Sequence, residues 1–227
     1  SIRVKDAKIF ISTGRMDMLW KVDEGYAKLE RKKGKNKIKS EFKINFGKDN
    51  TYFEVNTASA GDKVISTEIH FTELPSYTLD DIFPGYQIEQ KVNMYFTGYS
   101  TILISDGGLI SEGKLKIDSA SGNIHMPEFF KERVDIKNLK FDARLYDNFS
   151  RLTINNIEVD LHGPTLKISG NIYNKNIWPD IAPSLELDVN IANLKAANLE
   201  NYWPYEFGDI ARQWVTHNIK DGIIKSA

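Results

Sequence analysis

Apolar and charged residues alternate along most of this chain with a period of two, the pattern of strands that bury one face only. Ile38, Phe42, Ile44 and Phe46 share one parity, while Lys37, Lys39, Glu41, Lys43 and Asn45 take the other. Leu139, Phe141, Ala143 and Leu145 alternate with Lys140, Asp142, Arg144 and Tyr146. Leu166, Ile168, Gly170 and Ile172 alternate in the same way with Thr165, Lys167, Ser169 and Asn171. Turn residues punctuate these runs: Gly34 inside a basic loop, Gly47 to Asn50, Ala60 to Lys63, Asp106-Gly107-Gly108 and His162-Gly163-Pro164. Leu152 and Ile154 have one parity and Ile157, Val159 and Leu161 the other, so Asn155-Asn156 is expected to form a bulge that resets the register. Met126 to Phe130 breaks the alternation as a short helical turn or crossover, and Asn174 to Pro183 is a loop.

One helical pattern occurs, near the C-terminus. Asp209 suits the N-cap, Ile210 and Trp214, with Val215 beside them, form an apolar stripe, His217 lies in the last turn, and Gly222 follows the end. That stripe is expected to pack onto the end or edge of the sheet.

The chain also repeats itself. Glu68 to Pro84 returns 120 positions later as Asp188 to Pro204, with Leu74 over Leu194, Leu79 over Leu199, and Phe83-Pro84 over Trp203-Pro204. Just before, Ile65, Thr67, Ile69 and Phe71 lie over Leu185, Leu187, Val189 and Ile191, so both copies open with a strand facing the same way. The expected organisation is two β repeat units, residues 1–100 and 101–227, in one continuous elongated domain. The aromatic-Pro corners are expected to be packing anchors.

An antiparallel sheet of one-faced strands must cover its apolar side, and about one helix of ten residues is too little to do so. The cover is then a second sheet, or a ligand lying along an open apolar face.

Composition narrows the chemistry. The 30 basic and 31 acidic side chains give a net charge of −1, which argues against a nucleic-acid partner. With no cysteine, thiol catalysis, disulfides and thiolate metal sites are absent. No run approaches the ~18 apolar residues of a membrane-spanning helix. The chain opens without Met and stops just after Gly222-Ile223-Ile224, where another strand is expected to begin, and it is expected to be a piece of a longer protein.

His70, His125, His162 and His217 are scattered without metal-ligand spacing. Asp80-Asp81 sits beside a turn, where Asp caps backbone N–H groups, and the second copy has Glu200-Asn201 there. Asn148-Phe149-Ser150 matches a glycosylation sequon, a short pattern common by chance. The basic run from Lys28 to Lys43 is read as a solvated hairpin tip that discourages edge pairing, with anionic lipid headgroups as the functional alternative. No catalytic residues or cofactors are assigned, and the chain is not read as an enzyme.

The last ninety or so residues carry a resemblance. The strands IKNLKFDARL and RLTINNIEVDLHGPTLKISGNI precede LELDVNIANLKAANLENYWP and a helix with ARQWVTHNIKDG. A strand ending in Asn193-Leu194, then Leu199 with Tyr202-Trp203-Pro204, then Arg212-Gln213-Trp214 before Gly222, resembles the AsmA-like superfamily, nearest its YhdP-type, TamB-related members. The first half has only Ile82-Phe83-Pro84 in the motif's place, and no comparable helix follows.

The resemblance implies an all-β, mainly antiparallel fold: an elongated, curved, groove-like sheet of two repeated units, with one short helix near the C-terminus. It further implies a monomeric segment of a periplasmic lipid-transfer protein, anchored in the inner membrane and moving phospholipid between inner and outer membranes. The expected acyl-chain surface is Ile65, Ile69, Phe71, Phe141, Leu166, Ile168, Leu185, Leu187, Val189 and Ile191. The competing expectation is a closed β-sandwich serving as scaffold or protein-binding module of a cell-envelope protein, where the same residues form an ordinary core.

Overall fold

The computed structural model describes residues 1–12, 17–32, 35–61, 63–82, 87–105, 108–147, 150–173, 184–205 and 208–226. In chain order the first strands are β1 (Ile2–Ser12), β2 (Asp17–Lys32), β3 (Lys35–Asn45), β4 (Asn50–Gly61) and β5 (Val64–Pro75). A 3-10 turn (Ser76–Thr78), α1 (Leu79–Ile82) and α2 (Ile88–Lys91) lead into β6 (Val92–Ile104) and β7 (Ile110–Ser119). Two short strands, β8 (Gly122–Ile124) and β9 (Val134–Ile136), precede β10 (Asn138–Tyr146), β11 (Arg151–Asp160), β12 (Thr165–Tyr173) and β13 (Ser184–Ala192). The chain closes with β14 (Leu194–Lys195), a second 3-10 turn (Ala196–Asn198), α3 (Leu199–Tyr202), α4 (Asp209–Asn218) and β15 (Ile223–Ile224).

Thirteen strands form one antiparallel sheet in the order β1-β2-β3-β4-β5-β6-β7-β10-β11-β12-β13, with β8 pairing β6 and β9 beside that path. The alternation read from the sequence sets this outcome, because each strand keeps its apolar parity on the side its neighbour does. Where parity would slip, a bulge restores it: the register shifts between Ile154 and Ile157, and the extra Asn155 donates its side-chain N–H to Asp142 at 2.8 Å. Residues 100 and 101 both lie within β6, and the sheet passes that point without interruption.

The repeat is a repeated corner. The 3-10 turns at Ser76–Thr78 and Ala196–Asn198 stand at the same offset as Leu79–Ile82 and Leu199–Tyr202. Their preceding residues, Pro75 and Lys195, share an extended backbone at φ −69°, ψ 140° and φ −68°, ψ 131°. After each corner the chain re-enters a strand in one register: Leu74 pairs Phe96 and Pro75 pairs Tyr95, as Leu194 pairs Ile224 and Lys195 pairs Ile223. Phe83-Pro84 and Asn148-Phe149 lie outside the described residues, as do residues 174–183, which were expected to form a loop.

The two long borders of the sheet differ. On the border carrying the corners, Met94, Val134, Ile136, Val159 and Leu161 form a buried cluster, with Phe130 and Tyr202 against it. Met126 to Phe130 is a turn there, its Phe129 and Phe130 N–H groups both donating to the Met126 carbonyl. Ser76 Oγ donates to the Val92 carbonyl at 2.6 Å, and the single Tyr77 O–H is shared between Phe46 O at 2.7 Å and the Asp49 carboxylate at 2.8 Å. Burial, and then the Asp49 hydrogen bond, push the Tyr77 hydroxyl pKa well above its usual range. On the opposite border Leu29, Ile38, Ile65, Leu109 and Leu185 are exposed.

The docked helix is a correction. α4 runs as expected over Asp209–Asn218, but its cap is Gly208 in the left-handed region, and Ile210 and Trp214 are 87 % and 61 % exposed. Arg212, over the Tyr205 ring at 4.9 Å, is partly buried, as are Val215 and Thr216. Ile210 and Trp214 face outward because the helix is anchored by the side that carries Arg212 and Val215, and it meets α3.

Candidate functional site

Threading the strand register across the sheet joins the separate alternations into continuous rows. One row runs Ile2, Ala27, Ser40, Val55, Ile69, Ser100, Leu115, Ala143, Ile154, Gly170 and Leu187, one residue from each strand of the main path. The next runs Val4, Gly25, Phe42, Phe53, Phe71, Gly98, Ile117, Phe141, Ile157, Ile168 and Val189. A third begins at Leu29 and Ile38 and ends at Ile172 and Leu185. None of the three contains a charged residue.

The neighbouring row on the other face is Lys28, Lys39, Asn56, Glu68, Thr101, Lys114, Arg144, Thr153, Asn171 and Glu186, with no apolar side chain. Ion pairs such as Lys116 with Asp142 at 3.0 Å belong to this face. Burial raises the Asp142 carboxyl, but its hydrogen bonds from Asn155 and Lys116 outweigh that and hold it below the usual carboxylate range.

All ten sequence-derived surface residues fall on the uncharged face. Ile65, Ile69, Phe141, Leu166, Ile168 and Ile191 are partly or well exposed to it, and Leu185, Leu187 and Val189 on the free-edge strand β13 are 55 %, 41 % and 58 % exposed. Phe71 differs: it is 7 % exposed, with its ring 6.4 Å from that of Phe53 and close over Gly98. A Cβ at Gly98 would lie 3.0 Å from that ring, so glycine leaves the aromatic room to lie flat. Leu166 packs against the buried cluster at the corner border.

The sequence reading left Ile102, Leu115, Ile117 and Ile154, which join these groups, out of the surface. Their alternation was visible, but their place in the rows depends on register, which no single strand reveals.

His70, His125, His162 and His217 are all exposed, and among the described residues no three His, Asp or Glu side chains come together as a metal site. Asp80 is a cap, accepting from the backbone N–H groups of Ile88 at 2.6 Å and Glu89 at 2.8 Å.

Among the described residues no second sheet lies over the uncharged face: the only strands outside the main sheet are the two-residue β14 and β15. The chain accordingly exposes 14770 Å², against about 10,500 Å² for a compact protein of its mass. A single layer accounts for the excess. Comparison of the chain with protein-family models, with curated proteins and with solved structures finds no match.

Proposed function

We propose that the uncharged face holds lipid acyl chains, and that this chain is a non-catalytic segment of a lipid-transfer protein. The observation that carries this reading is the set of charge-free rows spanning the main path, with no second sheet over them among the described residues. Water against so much aliphatic surface is costly, and each CH₂ of a ligand buried there is worth ~0.8 kcal/mol without any specific bond. Eleven strands spaced about 4.8 Å apart make a row about 48 Å long. That exceeds the ~30 Å hydrocarbon thickness of a whole bilayer, so it accommodates more than one acyl chain end to end.

The setting proposed with it follows the AsmA-like resemblance: a periplasmic segment of an inner-membrane-anchored parent, passing phospholipid between the two membranes. A photoreactive phenylalanine analogue placed at Ile69 or Val189 should label co-purifying phospholipid. The same group at Glu68 or Asp188, on the charged face, should not. Equal labelling from both faces, or none from either, would remove the reading. Labelling of another protein from Ile69 and Val189 would point instead to a protein-binding module.

A further inference from the structure

The basic run on either side of Gly34 lies on the paired strands β2 and β3. β2 projects beyond β1, which joins it no farther out than Ala27, while on the other side β4 joins β3 as far as Lys37 and itself continues to Gly61. The outermost pairs, Arg31 with Asn36 and Lys32 with Lys35, end this projection. The twelve residues Lys28 to Lys39 include seven basic side chains and one acidic one, in a chain whose net charge is −1.

The two faces of this projection differ. Lys35, Lys37 and Lys39 lie on the charged side, exposed and with no ion-pair partner among the described residues. Lys28 sits directly opposite Lys39, a like-charge arrangement that costs stability in water, and only Glu30, 2.6 Å from Lys28, offsets it. On the other side Leu29 and Ile38 face each other across the strands at 64 % and 41 % exposure.

We propose that the β2–β3 tip docks on the surface of an anionic lipid bilayer. Leu29 and Ile38 enter the boundary of the acyl layer, and the lysine stems let their ammonium groups reach the phosphates. A dense layer of anions relieves the opposed lysines. Both requirements, many phosphates and an apolar layer directly beneath them, are met together by a bilayer, whereas a nucleic acid offers only the first. This docking does not depend on acyl chains lying along the sheet.

The test is flotation of the purified chain with vesicles of phosphatidylcholine, alone or mixed with phosphatidylglycerol. Wild type should float only with the mixed vesicles, less so as salt rises. Lys35→Glu, Lys37→Glu and Lys39→Glu together should weaken this at least on the order of a hundredfold, at roughly a factor of five for each lysine lost. Leu29→Ser with Ile38→Ser should weaken it at every salt concentration. Reversal of Lys114 and Lys140, charged-face residues away from the tip, should leave it intact. Circular dichroism verifies folding of each variant, all substituted positions being on the surface. Failure of wild type to float, undiminished flotation of the triple variant, equal loss in the Lys114 and Lys140 control, or displacement by a short oligonucleotide would each overturn the proposal. A chain that labels lipid at Ile69 yet fails to float would retain the acyl-chain reading and lose this one.

Discussion

Glu73 and Asn193, 120 positions apart, hold one left-handed backbone conformation, with φ of 58° and 57°. Each sits at the end of its long strand, immediately before the leucine that pairs across the corner, Leu74 with Phe96 and Leu194 with Ile224. The left-handed residue adds one position to the strand, so the chain turns the corner with Phe71 and Leu74 still on one side.

The two residues tolerate that conformation unequally, since Asn visits it readily and Glu does not. Glu73→Gly is expected to stabilise the chain by about 1 kcal/mol, and Asn193→Gly by roughly a few tenths. Urea denaturation of both variants measures this. A loss of stability in Glu73→Gly would mean its side chain does more than occupy a strained position.

Val189 and Ile154 have the same parity in neighbouring rows but unequal surroundings, 58 % and 6 % exposed. Val189→Asp should leave the chain folded, because the carboxylate reaches water, and should abolish lipid labelling along the row. Ile154→Asp should destabilise by several kcal/mol, as an unpaired buried charge does. Circular dichroism melts of the two variants separate these outcomes, and equal destabilisation would mean that the β13 end of the face is covered.

Trp214→Ala should change stability by less than ~0.5 kcal/mol, the range of surface substitutions, because the ring is 61 % exposed on α4. A thermal melt shifted as far as a buried-Trp deletion would place the ring in a packed site.

Tyr77 ties the β3–β4 turn to the first corner through Asp49. Its hydroxyl pKa is raised in the folded chain, so the stability it contributes is complete below the unfolded value of about 10 and is lost as pH rises beyond it. Tyr77→Phe should therefore cost roughly 1 kcal/mol at neutral pH. It should also flatten the decline of stability above about pH 10. Denaturation midpoints across that range provide the comparison.

How far the sequence foretold this structure depends on whether a feature is local. The one-faced strands, the Asn155 bulge, the Met126–Phe130 turn and the helix at Asp209–Asn218 were legible because each is written in a few adjacent residues. The corner was legible because it occurs twice. What was not legible is what lies against what. Ile210 and Trp214 form an apolar stripe in either orientation of α4, and only the Arg212 and Val215 side meets the rest of the chain. Likewise the alternation of Leu187 is the same whether a second sheet, a lipid or water lies against it.

The strand order has a last consequence, for how the chain comes apart. Apart from β8 and β9, each strand of the main path pairs with those that precede and follow it in sequence, so loop closure is short and stability approaches a sum of nearest-neighbour terms rather than the property of one central core. Such a sheet loses strands in succession from its free edges. Amide exchange should quicken stepwise towards β1 and towards β13, whose residues Ser184 to Asn190 are all exposed, and should be slowest beside the cluster of Met94, Ile136 and Val159. The breadth that gives the uncharged face its length thus makes its two ends the first parts to open.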